Sequence, residues 1–528
     1  MLDRDSARRA VAEATDPWDM VIVGGGATGL GCAIDAAARG YKTLLLERDD
    51  LAKGTSSRST KLVHGGVRYL RQGNVSLVLE ALKERGLLLK NAPHLVHDLA
   101  FVVPNYAWWE GPFYGVGMKV YDLMAGRSGF GRSRRLSREE TVERLPTIEP
   151  DGLDGGVVYY DGQFDDARLA VNMAQTAAEQ GATVLTYCEV TGLTKDGVEV
   201  TGVVARDRET GETHTIPARV VVNATGVWTD RVRRMDDASA PPMVQASQGV
   251  HIVLDREFLP GDAAIMVPKT DDGRVLFAIP WRDSVVVGTT DTPVDEAAAE
   301  PRPMEEELDF LLRHAARYLT RDPRPEDVRS TFAGLRPLVA NPSAEGGTAA
   351  LSRDHVLHIA DSGLVTITGG KWTTYRKMAE DTVDQASVLA GLPERPCPTE
   401  DLPIHGAGGG AADGDLAVYG FDAAPLRALM DGDPALGEKL HPARPVRAGQ
   451  VVWAARHEMA RTVEDVLSRR TRELLLDARA SVEMAPRVAS LLAAELGRDE
   501  DWERAQIEAY AALAEGYLVP EGYAVGAG

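Results

Sequence analysis

The chain has 528 residues, 44% apolar and 26% charged, the balance of an ordinary globular protein with two or three domains. Its net charge of −21 excludes a general nucleic-acid binder, because phosphate neutralisation needs a basic surface. Three scattered cysteines (Cys32, Cys188 and Cys397) exclude a cysteine-ligated iron–sulfur cluster within the chain, which needs about four, and point to a reducing compartment.

No run approaches the roughly 18 consecutive apolar residues of a membrane span. The polar N-terminus, MLDRDSARRAVAEATDP, lacks the apolar centre of a cleavable signal. Only 11 of the 58 basic residues are lysine. Two origins compete, a GC-rich genome and an acidic surface suited to a salty cytoplasm, and the second is slightly favoured. Activity in molar salt separates them.

The first element is a short apolar strand, Met20 to Val23, followed by GGGATG with Gly24, Gly26 and Gly29 in the three positions of G-x-G-x-x-G. A helix over Leu30 to Arg39 is stopped by Gly40, and a second strand, Thr43 to Leu46, ends at Glu47. This is a dinucleotide-binding βαβ unit. Gly24 permits the tight turn, Gly26 the approach of a pyrophosphate, and Gly29 close packing of helix on strand. Glu47, eighteen residues after Gly29, can accept from ribose hydroxyls, and an acid there disfavours NADP.

Next comes GTSSRSTKLVHGGVRYL, Gly54 to Leu70, a dense run of hydroxyls, Lys61, His64, a Gly-Gly pair and Arg68-Tyr69. Residues 71–150 read as helices and loops, with an aromatic patch at Trp108, Trp109, Phe113 and Tyr114. Strand and helix patterns then alternate. A strand is expected at Gly156 to Tyr160, an Ala-rich helix after Asp165-Asp166, a strand at Thr183 to Val190, and a hairpin about Asp207 to Gly211. Further strands are expected at Arg219 to Val222, Gly249 to Leu254, Val275 to Ile279 and Val285 to Gly288. A Pro- and Gly-rich linker over 391–414 precedes a helical-period segment, 415–528.

Two later pieces return toward the nucleotide. Val220 to Val222 runs into Asn223-Ala224-Thr225-Gly226, and Leu364 to Thr368 runs into Gly369-Gly370-Lys371-Trp372-Thr373 at the start of a helix. A nicotinamide enzyme has no need of three separated approaches, whereas a long FAD does.

The motifs GGGATG, LLLERDDLAKGTSSRSTKLVHGGVRYL, PHLV, DDARL, NATGVW, GTTDT, GLRPL, SRDH and GGKWTTYRKMAE, in that order, resemble the FAD-dependent glycerol-3-phosphate dehydrogenases over roughly 18–380. The resemblance implies an α/β fold. A Rossmann-type FAD-binding domain carries an interwoven antiparallel-sheet substrate domain of the glutathione-reductase and D-amino-acid-oxidase kind, followed by a C-terminal α-helical domain. The expected divisions are 18–390 for the oxidoreductase, with the substrate domain mainly about 75–160 and 240–345, then the linker and 415–528. The implied reaction oxidises sn-glycerol 3-phosphate to dihydroxyacetone phosphate and passes electrons to a membrane quinone. Peripheral seating on the inner face of the cell membrane, through an interfacial helix over Trp108 to Met124, and a homodimer are expected with it. Rivals are an oxygen-using glycerol-3-phosphate oxidase, the catalytic subunit of a multi-subunit dehydrogenase, an amine or amino-acid oxidase, and a non-enzymatic FAD-binding scaffold.

The cofactor side of the site is expected at Gly24, Gly26, Gly29 and Glu47, then Ser57, Ser59, Thr60, Lys61, His64 and Gly65. Val190, Ala224, Thr225, Gly226, Gly370, Lys371, Trp372 and Thr373 complete it. A phosphomonoester near −2 in so acidic a protein needs clustered cations, preferably Arg forks. The family motifs supply Arg68, Arg336, Arg353 and Lys371, with Tyr69 as a hydroxyl donor. Arg68 can hold the phosphate or stabilise the developing alkoxide, and Arg336 is grouped with it as a catalytic candidate. His64 and His251 share the assignment of general base, and no metal is assigned.

Overall fold

The computed structural model describes residues 2–66, 75–107, 110–125, 131–268, 270–271, 273–339, 355–408, 414–523 and 525. Strand Trp18–Val23 is parallel to Thr43–Leu46 on one side and to Thr213–Asn223 on the other. Val365–Gly369 and Thr183–Leu185 extend this parallel layer. Strand residues Met20, Val21, Ile22, Leu44 and Leu45 are fully buried, as a sheet covered on both faces requires. Helices Ala27–Ala38, Asp166–Glu179 and Tyr375–Leu389 pack in one core with it.

A second, ten-stranded sheet is built from Leu62–Val63, Val96–Asn105, Arg134–Leu136, Gly155–Phe164 and the six strands between Val244 and Val339. It is antiparallel except where Ala263–Val267 runs parallel to Val96–Asn105. Its longest pairing joins Val244–Asp255 to Val328–Val339. Residues 423–515 add mainly helices, of which Ala478–Leu496 and Glu500–Glu515 are the longest, packed in one apolar cluster with Val253, Trp281, Val286 and Phe332 of the second sheet. The architecture is the expected α/β pair of interwoven sheets with a C-terminal helical domain.

Three local expectations are corrected. Residues 71–150 contain the ten-residue strand Val96–Asn105, buried on both faces at Phe101 to Val103, so no alternation marked it. The strand expected over Thr183 to Val190 is two, Thr183–Leu185 and Cys188–Asp196, broken where Tyr187 turns left-handed (φ 55°). The helix of the βαβ unit begins at Ala27, three residues before Leu30, immediately after Gly26. The 391–414 stretch has no helix or strand over 391–408 yet is tied down: Tyr41 Oη donates to Pro393 O, and Asn91 Nδ2 to Glu400 O.

Candidate functional site

One groove crosses the carboxyl ends of the parallel strands, the usual ligand position of an open α/β sheet. At one end Glu47 is half-buried. Its Oε2 accepts from Gly25 N (2.6 Å) and its Oε1 from Asp49 N (2.8 Å). Burial raises its pKa, and those two N–H donors oppose the shift.

The middle is the N-terminus of helix Ala27–Ala38. Ser56 Oγ accepts from Ala27 N at 3.0 Å. The backbone packs too closely here for side chains: a Cβ on Gly29 would stand 1.9 Å from Gly24 O, and one on Gly24 (φ +112°) 2.7 Å from Ala224 O. The far end is Gly369–Trp372, with both glycines left-handed. Val190, Ala224, Thr225, Gly226, Gly370, Lys371 and Trp372 all line this groove with Gly24, Gly26 and Glu47. A half-buried carboxylate, a helix N-terminus and backbone bare of side chains, in that order, suit an extended dinucleotide.

The run after Gly54 divides differently from the expectation. Gly54, Thr55 and Ser56 line the groove, whereas Ser57, Ser59 and Lys61 do not. Those three turn into a buried network on Asp166, described below. Thr60 and His64 instead line a second cavity with Gly66, Phe101, Asp161, Arg274, Phe277, Thr289 and Arg336. Two points of the run, Ser56 and His64, are held by the Gly369–Trp372 turn and its continuation. Trp372 Nε1 donates to Ser56 O (3.0 Å), and His64 N donates to Thr373 Oγ1 (3.2 Å).

Behind Gly65 stands a buried relay that sequence reasoning missed. Gly65 N donates to Tyr121 Oη (2.9 Å), Tyr121 Oη donates to Asp161 (2.8 Å), and Arg85 pairs with Asp161 at 2.6 Å. A Cβ on Gly65 would stand 2.4 Å from Tyr121 Oη, so only glycine fits.

Arg336 reaches the second cavity from the strand paired with Val244–Asp255, donating to Thr289 Oγ1 (3.1 Å) and Asp291 (3.3 Å). Arg274 joins it there, and no motif marked that residue. His251 does not line either cavity. It is buried, stacked on Phe332 (centroids 4.6 Å apart), and its Nε2 lies 2.9 Å from Thr60 Oγ1. Burial, then the Lys61 and Arg336 cations, hold its pKa well below the ordinary histidine value. Arg68, Tyr69 and Arg353 lie outside the described residues.

Comparison with known proteins matches residues 19–376 to a family described as FAD dependent oxidoreductase, and 397–503 to the C-terminal domain of alpha-glycerophosphate oxidase. The mitochondrial glycerol-3-phosphate dehydrogenase of Macaca fascicularis is 41% identical over 95% of this chain and 74% of its own length. The chain belongs to the FAD-dependent glycerol-3-phosphate dehydrogenase family. An Arabidopsis thaliana mitochondrial relative of the same name is 40% identical over 94% of this chain and 86% of its length. The solved glycerol-3-phosphate dehydrogenase of Bacillus halodurans, complexed with FAD, is 31% identical with a TM-score of 0.77, covering 98% of both chains. An L-alpha-glycerophosphate oxidase of Mycoplasma pneumoniae (17%, TM-score 0.58) shares the fold. The half-buried carboxylate, helix N-terminus and bare backbone of the first groove fit the family's FAD.

Proposed function

We propose that the protein oxidises sn-glycerol 3-phosphate to dihydroxyacetone phosphate. The observation that carries it is the second cavity, where Arg336, Arg274, His64 and Thr60 converge beside the Gly369–Trp372 end of the groove. FAD, when bound, supplies a two-electron acceptor for the hydride from C2.

The chain's own residues supply the rest. Arg336 is oriented by Asp291 and Thr289 to hold a dianionic phosphate or the C2 oxygen as it becomes negative, and Arg274 adds a second cation. Arg68, Tyr69, Arg353 and Lys371 join this set by the family motifs. His64 is the general base, because it lines the cavity and its backbone is held by Thr373. Burial beside two cations opposes a charge on His251, which orients the Thr60 hydroxyl instead.

The acceptor in this reading is a membrane quinone. Among the described residues no helix is long and apolar enough to cross a membrane. Peripheral seating on the inner face of the cell membrane would use the neighbouring helices Val75–Asn91 and Glu110–Ala125. Their exposed Val75, Leu79, Val120 and Leu123 sit outside the cluster of Leu62, Phe101 and Tyr121, part of which walls the second cavity. Trp108 and Trp109 lie outside the described residues, as do the side chains of Phe113 and Tyr114. A homodimer belongs to the same proposal, and light scattering tests it.

Anaerobic addition of sn-glycerol 3-phosphate should bleach the flavin, and a quinone should restore its colour faster than oxygen. No bleaching would refute the substrate. Stoichiometric peroxide with no quinone reaction would assign the oxidase chemistry instead.

A further inference from the structure

Asp166, first residue of helix Asp166–Glu179, is fully buried and collects donors from three parts of the chain. Its Oδ2 accepts from Ser59 N (3.0 Å), Ser59 Oγ (2.7 Å) and Lys61 Nζ (2.7 Å). Its Oδ1 accepts from Ala167 N (2.9 Å) and from Arg472 Nη2 (2.8 Å). The same two cations converge on one carbonyl. Ser57 O accepts from Lys61 Nζ (2.9 Å) and from Arg472 Nη2 (2.8 Å).

Both cations are fully buried, and both residues hold left-handed backbone, φ +62° at Lys61 and +73° at Arg472. That conformation costs a side-chain-bearing residue about 1–2 kcal/mol and ordinarily goes to glycine. Glycine would lose the two side chains that span the joint. Both also stand against one ring, Trp281, with Lys61 Nζ 5.4 Å and the Arg472 guanidinium 5.6 Å from its centroid. Arg472 arrives from the C-terminal helical segment, more than 400 residues after the run it touches.

We propose that Arg472 is a positioning residue. From the C-terminal segment it holds Ser57–Lys61 in place through the Ser57 carbonyl and Asp166, and thereby sets Thr60 and His64 at the second cavity. The C-terminal segment is then part of the catalytic apparatus rather than an appended cover. The catalytic consequence rests on the function proposed above, whereas the ordering of the run does not.

A matched control exists in Arg444. It is equally buried and joins the same segment to the second sheet, pairing with Glu473 (2.6 Å) and Asp283. Its hydrogen bonds go to Glu473 and Asp283 and not to the run.

The test compares holoenzymes of wild type, Arg472→Gln, Arg472→Lys and Arg444→Gln. Amide hydrogen exchange over residues 57–64 should be at least tenfold faster in Arg472→Gln, starting with Ser59, whose N–H is bonded to Asp166 itself. It should be unchanged in Arg444→Gln even where that variant loses as much Tm. Flavin reduction at saturating sn-glycerol 3-phosphate should slow at least tenfold in Arg472→Gln, with little change in KM. Arg472→Lys should fall between: Nη2 alone serves Ser57 O and Asp166 while Nη1 donates to Ser468 O, and a single ammonium keeps the charge but cannot span both sets.

Equal exchange in Arg472→Gln and wild type, or equal acceleration in Arg444→Gln, overturns the proposal. If Arg472→Gln does not fold, Arg472→Lys against Arg444→Gln decides by the same exchange measurement. If wild-type flavin is not reduced by sn-glycerol 3-phosphate, the proposed function falls while the exchange comparison still judges Arg472.

Discussion

Thr60 Oγ1 lies 2.9 Å from His251 Nε2, and of these two residues only Thr60 lines the second cavity. The histidine meets that cavity only through a hydroxyl. Burial, then the Lys61 and Arg336 cations, push its pKa well below the ordinary histidine value and favour the neutral ring. His251→Gln should therefore keep flavin reduction within about tenfold of wild type, whereas His64→Gln should lose about 10²-fold or more. Anaerobic stopped-flow reduction measures both, and the reverse ranking would return the base to His251.

Glu47 controls one end of the cofactor groove. Replacing it with alanine leaves the buried Gly25 and Asp49 N–H groups without their acceptor, at about 1–3 kcal/mol. FAD should bind at least tenfold more weakly to Glu47→Ala, as followed by release of flavin fluorescence on dilution. Unchanged FAD affinity would show that this carboxylate does not shape the groove.

Tyr121→Phe removes the acceptor of Gly65 N and the donor to Asp161 in one step. Stability should fall by about 1–3 kcal/mol, and turnover should fall with it because Gly65 adjoins His64. Denaturant unfolding and steady-state rates check the two effects. A stable variant of full activity would show that the relay does not hold His64.

Asp50 joins the first sheet to the C-terminal segment through Arg469 and through two bonds from Arg470, at 2.6 and 2.8 Å. Its own burial favours the neutral acid, but the two guanidiniums outweigh that and hold its pKa down to about 2. The folded value lies below the ordinary one, so this stabilisation is present above about pH 4 and is lost as pH falls toward 2. It amounts to about 2 kcal/mol, roughly half of it gone by pH 3. The stability gap between wild type and Asp50→Asn should be widest near pH 6 and narrow steadily below pH 4, measured by chemical unfolding. A gap independent of pH would refute it.

Leu123 is 83% exposed on the helix Glu110–Ala125. If this face seats on a bilayer, Leu79→Asp with Leu123→Asp should abolish co-sedimentation with liposomes and slow reduction of vesicle-borne quinone. Reduction of a soluble dye should be unaffected, since both side chains are exposed to solvent. Undiminished co-sedimentation would move the membrane face elsewhere.

Local chemistry was legible in the chain itself. Gly24, Gly29 and Glu47 could be read in sequence because strand, turn, helix and acid follow one another within thirty residues, and each role follows from a single backbone constraint. The order of motifs was equally legible, since a resemblance is a property of sequence. The helical period after residue 415 marked helices without a tertiary partner to consult.

Tertiary structure alone decided which side each residue of the run faces. Ser57, Ser59 and Lys61 alternate with Thr60, Leu62 and His64 in the two-residue period of extended chain, but that period does not say which set faces the cavity; a carboxylate 105 residues after Lys61 and a guanidinium from the C-terminal segment pull the first group inward. The same holds for His251, which its motif offered as one of two base candidates and whose surroundings, burial with Lys61 and Arg336, oppose its charging. Hydrogen bonds and desolvation depend on partners brought together by folding, and neither period nor motif records who those partners are.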